Sequence, residues 1–428
     1  MIHASKPEPR THTFILAGGQ GERLYPLTQS RPKPVISFGG TFRIIDFTLS
    51  NCLHSGLNRV SLLTQYRAEE LHRYIREGWM DLWTSQSSDR DPLVCVPPVS
   101  GKRYRGTADA VFQNIALIGT DSDLVLVLSA DHIYQMDYRE LLLQHIETNA
   151  DLTVATVAHP LCEASKFGVV EVDEWFGITS FEEKPANPRP LPCDPSTALV
   201  SMGVYVFKKT VLAESLQAIC DSGLGSDFGQ HIIPFLIASV RAQAYDFREP
   251  TQRAPLYWRD IGTIDSYHAA SMDLVGPNAK FDPYANERWP SRPTRHPSLN
   301  DLEFRWQGST RIDATARVER TVLSPGVQVQ QNATLEESIL MPGVRVGEDA
   351  SLRRVIVEEC VQIPAGFCAG FDNERDRQHH TVSDTGIVVI DRDPPANQHD
   401  VWRDRFYSVQ SEGVRVPFLK KARLSTDW

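Results

Sequence analysis

The chain lacks most features that mark membrane, nucleic-acid-binding or disulfide-stapled proteins. No apolar run approaches the roughly 18 to 20 residues needed to cross a bilayer, and the polar stretch 1–13 contains no apolar segment of signal-peptide type. Basic charge is scarce: 44 Lys and Arg against 54 Asp and Glu leave a net charge of −10. That balance argues against nucleic acid or an anionic membrane as a partner, since both reward clustered cations. The cysteines (Cys52, Cys95, Cys162, Cys193, Cys220, Cys360 and Cys368) are odd in number and form no CxxC pair. Neither a zinc site nor a disulfide framework is indicated, and reduced thiols in a cytoplasmic protein are expected. Two widespread phosphate-binding signatures, GxxxxGK[ST] and GxGxxG, are also absent.

What is present is an ordinary globular composition, 41% hydrophobic and 23% charged. The length of 428 residues exceeds one ordinary core, so two domains are expected. Over residues 13–275, short apolar runs alternate with longer mixed segments, the βαβ rhythm of a mostly parallel sheet. Strands are expected at 14–16, 60–64, 124–128, 152–157 and 202–207, with a hairpin over 167–172 and 177–181. The run 124–128 is continuously apolar, as a strand buried on both faces should be. Five prolines (Pro277, Pro283, Pro290, Pro293 and Pro297) then mark 276–300 as a linker. The division expected is thus 1–275, linker 276–300, and a second domain over 301–428 that ends in a tail.

Beyond the linker, apolar residues recur at a spacing of six: Val327, Ala333 and Ile339; Val329, Leu335 and Met341; Val344, Ala350 and Ile356. Such a period fits the sides of a triangular β-helix, with Asn332 and the glycines at its corners. An ordinary antiparallel sheet is the competing interpretation, because Val327 and Val329 also alternate.

Three motifs point to phosphate chemistry. Leu16-Ala17-Gly18-Gly19-Gln20-Gly21 follows the first expected strand. Its glycines let backbone N–H groups approach a polyphosphate. Arg23 adds a forked cation, and Lys33 stands between Pro32 and Pro34, which restrict its backbone. Asp131 follows the central strand, at the carboxyl end where open α/β sheets bind ligands. It is a candidate magnesium ligand, whereas the imidazole of His132 suits packing or orientation better. Asp260, within Trp258-Arg259-Asp260-Ile261-Gly262-Thr263, is the candidate second ligand. Glu183 and Lys184 fit a sugar hydroxyl and a second phosphate. Each motif alone has a bland interpretation as a turn or a solvated charge. Together they supply the alignment, charge neutralisation and metal that phosphoryl-type transfer needs.

These residues resemble the signature set of the sugar nucleotidyltransferases, and more closely that of the bacterial ADP-glucose pyrophosphorylases. The similar blocks run from Gly39-Gly40-Thr41-Phe42-Arg43 and Thr64-Gln65-Tyr66 through Tyr104-Arg105-Gly106-Thr107 to Glu183-Lys184-Pro185 and Ser201-Met202-Gly203. The resemblance implies a Rossmann-like catalytic domain, a left-handed parallel β-helix behind it, and a homotetramer. It implies transfer of the adenylyl group of ATP to α-D-glucose 1-phosphate, the first step of glycogen synthesis, under allosteric control by a sugar phosphate, AMP or a similar effector. Leu16, Ala17, Gly18, Gly19, Arg23 and Lys33 would hold ATP, with Gln65, Gly106 and Thr107 at the adenine. Tyr104, Gly168, Glu183, Lys184 and Ser201 would hold glucose 1-phosphate, Asp131 and Asp260 would hold Mg2+, and Arg23, Lys33 and Asp131 would be catalytic. Arg31 and Arg43 would serve effectors, although Ser30 stands where enterobacterial members carry an activator-binding lysine. Glu22 and Ala130 also depart from the family's usual Thr and Gly. Rival interpretations are the same chemistry on another nucleotide and a non-catalytic regulatory subunit. Acyl transfer by the β-helix is disfavoured, since residues 312–366 contain no histidine base.

Overall fold

The computed structural model describes residues 10–283 and 310–392, apart from 87–91, 100–101, 193, 224 and 252–253. Most of the expected linker lies outside the described residues, as does the tail expected over 392–428 beyond its first residue, including its basic cluster Phe418-Leu419-Lys420-Lys421-Ala422-Arg423.

The apolar run at 124–128 becomes the strand Leu124–Ser129, buried at every position but its last. It sits centrally because it has partners on both edges: Thr11–Ala17 in parallel and Thr197–Lys208 in antiparallel. Thr11–Ala17 pairs in turn with Val60–Thr64, and that strand with Leu93–Val96, all parallel. Beyond Thr197–Lys208, which runs antiparallel to each of its neighbours, lie the hairpin of Gly168–Val172 and Ile178–Glu183, and Leu152–Pro160 with Ala242–Asp246. Successive side chains alternate between two cores, one holding Ile15, Leu62, Leu126 and Val206, the other Phe14, Leu63, Val127 and Phe207. This period of two is what a strand imposes, and a sheet apolar on both faces is why those runs are continuous.

The second region is built on three sheets of very short strands, parallel throughout except where Thr381–Val382 adds antiparallel to Val388–Ile390 at the end of one of them. Val329 pairs with Val346 and Val346 with Ile363, and Leu335 stacks likewise on Leu352 and Ala369. Residues bonded between neighbouring coils are 17 apart, so one coil consists of sides of six, six and five residues. This parallel β-helix excludes the antiparallel alternative. Its corners need left-handed backbone, and Asn332, Gly326, Gly343 and Gly366 adopt it, but so do Arg320, Glu337, Asp349, Arg354 and Cys360. An apolar layer joins the two regions: Ile36, Phe38, Phe42 and Tyr267 pack in one cluster with Val322, Ile339, Met341 and Ile356.

Candidate active site

The carboxyl ends of the parallel strands carry the glycine turn and the first acid. Gly21 has φ +66°, and a Cβ there would meet Thr28 at 3.0 Å and Lys33 at 3.3 Å, so glycine is required. Gly18 leaves its space to Gln65, whose Cβ lies 3.3 Å from where a side chain would begin. At Gly19 nothing lies within 4 Å. That residue lines a cavity of about 540 Å³ with Leu16, Ala17, Arg23, Lys33 and Asp131. Arg23 is exposed and makes no ion pair among the described residues.

Lys33, which as a lone residue could have been a solvated surface cation, is buried. Its Nζ lies 2.6 Å from Asp131 Oδ2 and 3.6 Å from Asp260 Oδ1. The second acid reaches this point through a two-strand ladder, in which His132–Tyr134 pairs with Trp258–Asp260 and Asp260 stands opposite His132. The His132 Nε2 is 3.5 Å from Asp131 and 3.7 Å from Asp260, and its ring packs edge-on against Trp258. Burial would raise the Asp131 carboxyl, but the charges of Lys33 and His132 and hydrogen bonds from Lys33 and Ser129 hold it well below the usual carboxylate range.

Gly203 makes room for this arrangement. It has φ +66°, in a stretch where the register of Thr197–Lys208 shifts between Ser201 and Tyr205. A Cβ at Gly203 would stand 3.2 Å from the His132 ring. The bulge also turns the Gly203 N–H toward Ser201 Oγ, which donates to Tyr205 Oη at 3.3 Å.

A second group of polar side chains continues from there. The Glu183 carboxylate lies against Gly168 and Gly229, where a Cβ would approach its Oε2 to 2.9 and 2.6 Å. Lys184, exposed and in left-handed backbone, holds its Nζ 3.3 Å from Glu183. Tyr104 donates its N–H to Gln65 at 2.6 Å, tying the glycine turn to the 104–107 block. Gly106 abuts the Ser226 carbonyl, and Thr107 donates to Asp227 at 2.9 Å while accepting from the Phe228 N–H. The Thr107 hydroxyl, together with the Ala108 and Asp109 N–H groups that donate to the Ser226 carbonyl, thus clamps the 226–228 loop. Asp227, Tyr205, Gly203 and Gly229 are the site residues that sequence reasoning missed. Their one signal was the pair Gly225 and Gly229 on either side of Asp227.

Arg31 and Arg43 lie apart from this cavity, at the contact with the β-helix. Each places an Nη1 2.7 Å from Glu359 Oε1. Ser30 is exposed beside them.

A glycine turn, a lysine and two strand-end acids thus meet on a mixed α/β sheet. Residues 12–276 match the nucleotidyl transferase family, and residues 308–390 match the GlmU-like C-terminal hexapeptide family. Over 413 residues the chain is 41% identical to a glucose-1-phosphate adenylyltransferase of Koribacter versatilis (strain Ellin345), covering 92% of this chain and 98% of that protein. A relative of the same name from Albidiferax ferrireducens is 41% identical over 403 residues, with 90% and 95% covered. One from Yersinia pseudotuberculosis serotype O:3 is 40% identical over 407, with 90% and 94% covered. The chain belongs to the glucose-1-phosphate adenylyltransferase family.

Proposed function

We propose that the chain transfers the adenylyl group of ATP to α-D-glucose 1-phosphate, giving ADP-glucose and pyrophosphate. The observation that carries this is the convergence of Lys33, Asp131 and Asp260 beside the glycine turn. Gly18, Gly19, Arg23 and Lys33 hold the ATP phosphates, Leu16 and Ala17 line the same ATP site, and Gln65, Gly106 and Thr107 border the adenine. Tyr104, Gly168, Glu183, Lys184 and Ser201 hold the sugar phosphate.

Two carboxylates that share one ammonium suit Mg2+, which takes one or two protein carboxylates and completes its shell with phosphate and water. When bound by Asp131 and Asp260, the ion neutralises charge on the triphosphate. A phosphate oxygen of glucose 1-phosphate attacks the α-phosphorus. The bond from that phosphorus to the bridging oxygen breaks, and its electron pair leaves with pyrophosphate. The attacking oxygen is already anionic at neutral pH, so no protein base or nucleophile is required. The side chains contribute alignment and charge: Arg23 and Lys33 on the departing phosphates, Lys184 on the incoming one.

The same proposal places catalysis in 1–275 and the β-helix in 301–428, joined through the proline-rich 276–300, within a cytoplasmic homotetramer. Small anionic effectors would act at Arg31 and Arg43, with the Ser30 hydroxyl unable to pair with a phosphate as an ammonium does. No helix among the described residues is long and apolar enough to cross a membrane.

Exchange of labelled pyrophosphate into ATP tests the direct attack. Exchange is expected only when glucose 1-phosphate is present. Exchange in its absence would require an adenylylated protein group and would refute the proposed chemistry.

A further inference from the structure

We infer that Glu359 of the β-helix is a positioning residue for Lys33, fixing the segment from which that lysine reaches the two acids. The single turn Lys33–Val35 has few bonds of its own. Pro32 and Pro34 lack N–H groups, and the remaining bonds are Val35 N–H to Pro32 O and Ile36 N–H to Lys33 O, both 3.1 Å. A turn that short does not orient itself.

Its anchors come from either side and end on one atom. Arg31, two residues before Lys33, reaches Glu359 Oε1 at 2.7 Å. Arg43 donates to the Val35 carbonyl at 3.0 Å, to Ser37 Oγ at 2.6 Å and to the same Glu359 oxygen at 2.7 Å. Ser37 also donates to that oxygen, at 3.1 Å. A single carboxylate from the second region therefore closes a ring around the turn that bears Lys33. All three charged groups are largely shielded from water, with side-chain exposures of 7%, 15% and 19% for Arg31, Arg43 and Glu359, so removing the carboxylate takes from both guanidinium groups the one acid that pairs with them directly. Burial opposes ionisation of Glu359, but Arg43, Arg31 and Ser37 hold its carboxyl down at about 2. Another polar contact between the regions, Asp265 with Ser383 and Thr385, does not touch this segment. The β-helix thus takes part in the reaction by placing the lysine. A displacement of about 1 Å is enough to lose rate on the order of a hundredfold.

Glu359 has this part only if Lys33 holds ATP phosphate, as proposed above. The test is pyrophosphate release by the full chain under ATP titration, for wild type, Lys33→Met, Glu359→Gln and the double variant, with thermal melts of each. Glu359→Gln is expected to lower kcat/KM for ATP about tenfold or more while the apparent KM for glucose 1-phosphate stays within about twofold. In the Lys33→Met background the same change should have no further effect, because both act through one group. Asp265→Asn should match wild type. Glu359→Asp, which keeps the charge but withdraws it by one methylene, should show an intermediate loss, and it decides the question if the Gln variant does not fold. An unchanged kcat/KM in Glu359→Gln, an equal loss in both backgrounds, an equal loss in Asp265→Asn, or a Glu359→Asp indistinguishable from wild type would each overturn the inference. A Lys33→Met chain with unaltered ATP dependence would instead refute the role of Lys33 itself.

Discussion

The Lys33 ammonium lies 2.6 Å from an Asp131 carboxylate oxygen although 98 residues separate the two in the chain. The pair stands where the glycine turn, the central strand and the His132–Asp260 ladder meet. Lys33→Met removes a cation placed to meet the charge that moves onto pyrophosphate. Turnover is expected to fall by about 10²–10³-fold, measured as pyrophosphate release at saturating substrates. A loss smaller than about threefold would mean that the lysine serves only the ion pair.

Asp131→Ala should abolish turnover, because it removes one of the two carboxylates proposed to hold magnesium. Asp260→Asn should raise the magnesium concentration needed for half-maximal rate. Chelation should silence the wild type, and added Mg2+ should restore it. Full activity in chelator would contradict the metal assignment.

Lys184 is more than half exposed and its nearest acid is Glu183. Its proposed partner is the incoming phosphate, so Lys184→Ala should chiefly raise the apparent KM for glucose 1-phosphate, by about tenfold or more, with kcat much less affected. A variant with an unchanged requirement for that substrate would remove Lys184 from the site.

Stability should carry a pH signature from Asp46, which is fully buried and accepts from the Arg43 N–H, Tyr74 and Trp79. Burial raises its carboxyl from 3.8 to about 7 despite those bonds. Between those values the folded chain holds a proton that the unfolded chain has released. The stabilisation is therefore fully present below the lower value and lost as pH rises through the upper one. Denaturant melts of wild type and Asp46→Asn at pH 5 and pH 8 isolate the effect. The wild type should lose ground to the variant on going to pH 8, and a constant difference would show that Asp46 does not titrate in that range.

Much of this was legible in the sequence because it follows from patterns that physics makes local. The strand at 60–64 is as expected, and 124–128 extends by one residue, since both are buried on each face along the predicted run. Ala242–Asp246 escaped notice because Ala-Gln-Ala-Tyr-Asp lies at a sheet edge and carries no apolar run. The spacing of six in the β-helix was visible, but the third side of each coil takes five residues, which breaks the series between Ile339 and Val344. Lys33, Asp131 and Asp260 stood out through their flanking prolines, strand and glycine. Asp227 had only Gly225 and Gly229 beside it, Gly203 lay inside a strand-like run, and Glu359 sits in Val-Glu-Glu-Cys, which resembles any solvated corner. Only tertiary packing brings Glu359 to Arg31 and Arg43.

The most direct single measurement is pyrophosphate release with Mg2+ and glucose 1-phosphate, comparing ATP with UTP, dTTP, GTP and CTP, each with and without fructose 6-phosphate, fructose 1,6-bisphosphate, pyruvate and AMP. Release is expected with ATP far above the other nucleotides, and an effect of at least one of the four small molecules would identify the effector. Preference for another nucleotide, or no release under any condition, would contradict adenylyl transfer to glucose 1-phosphate as the activity of this chain.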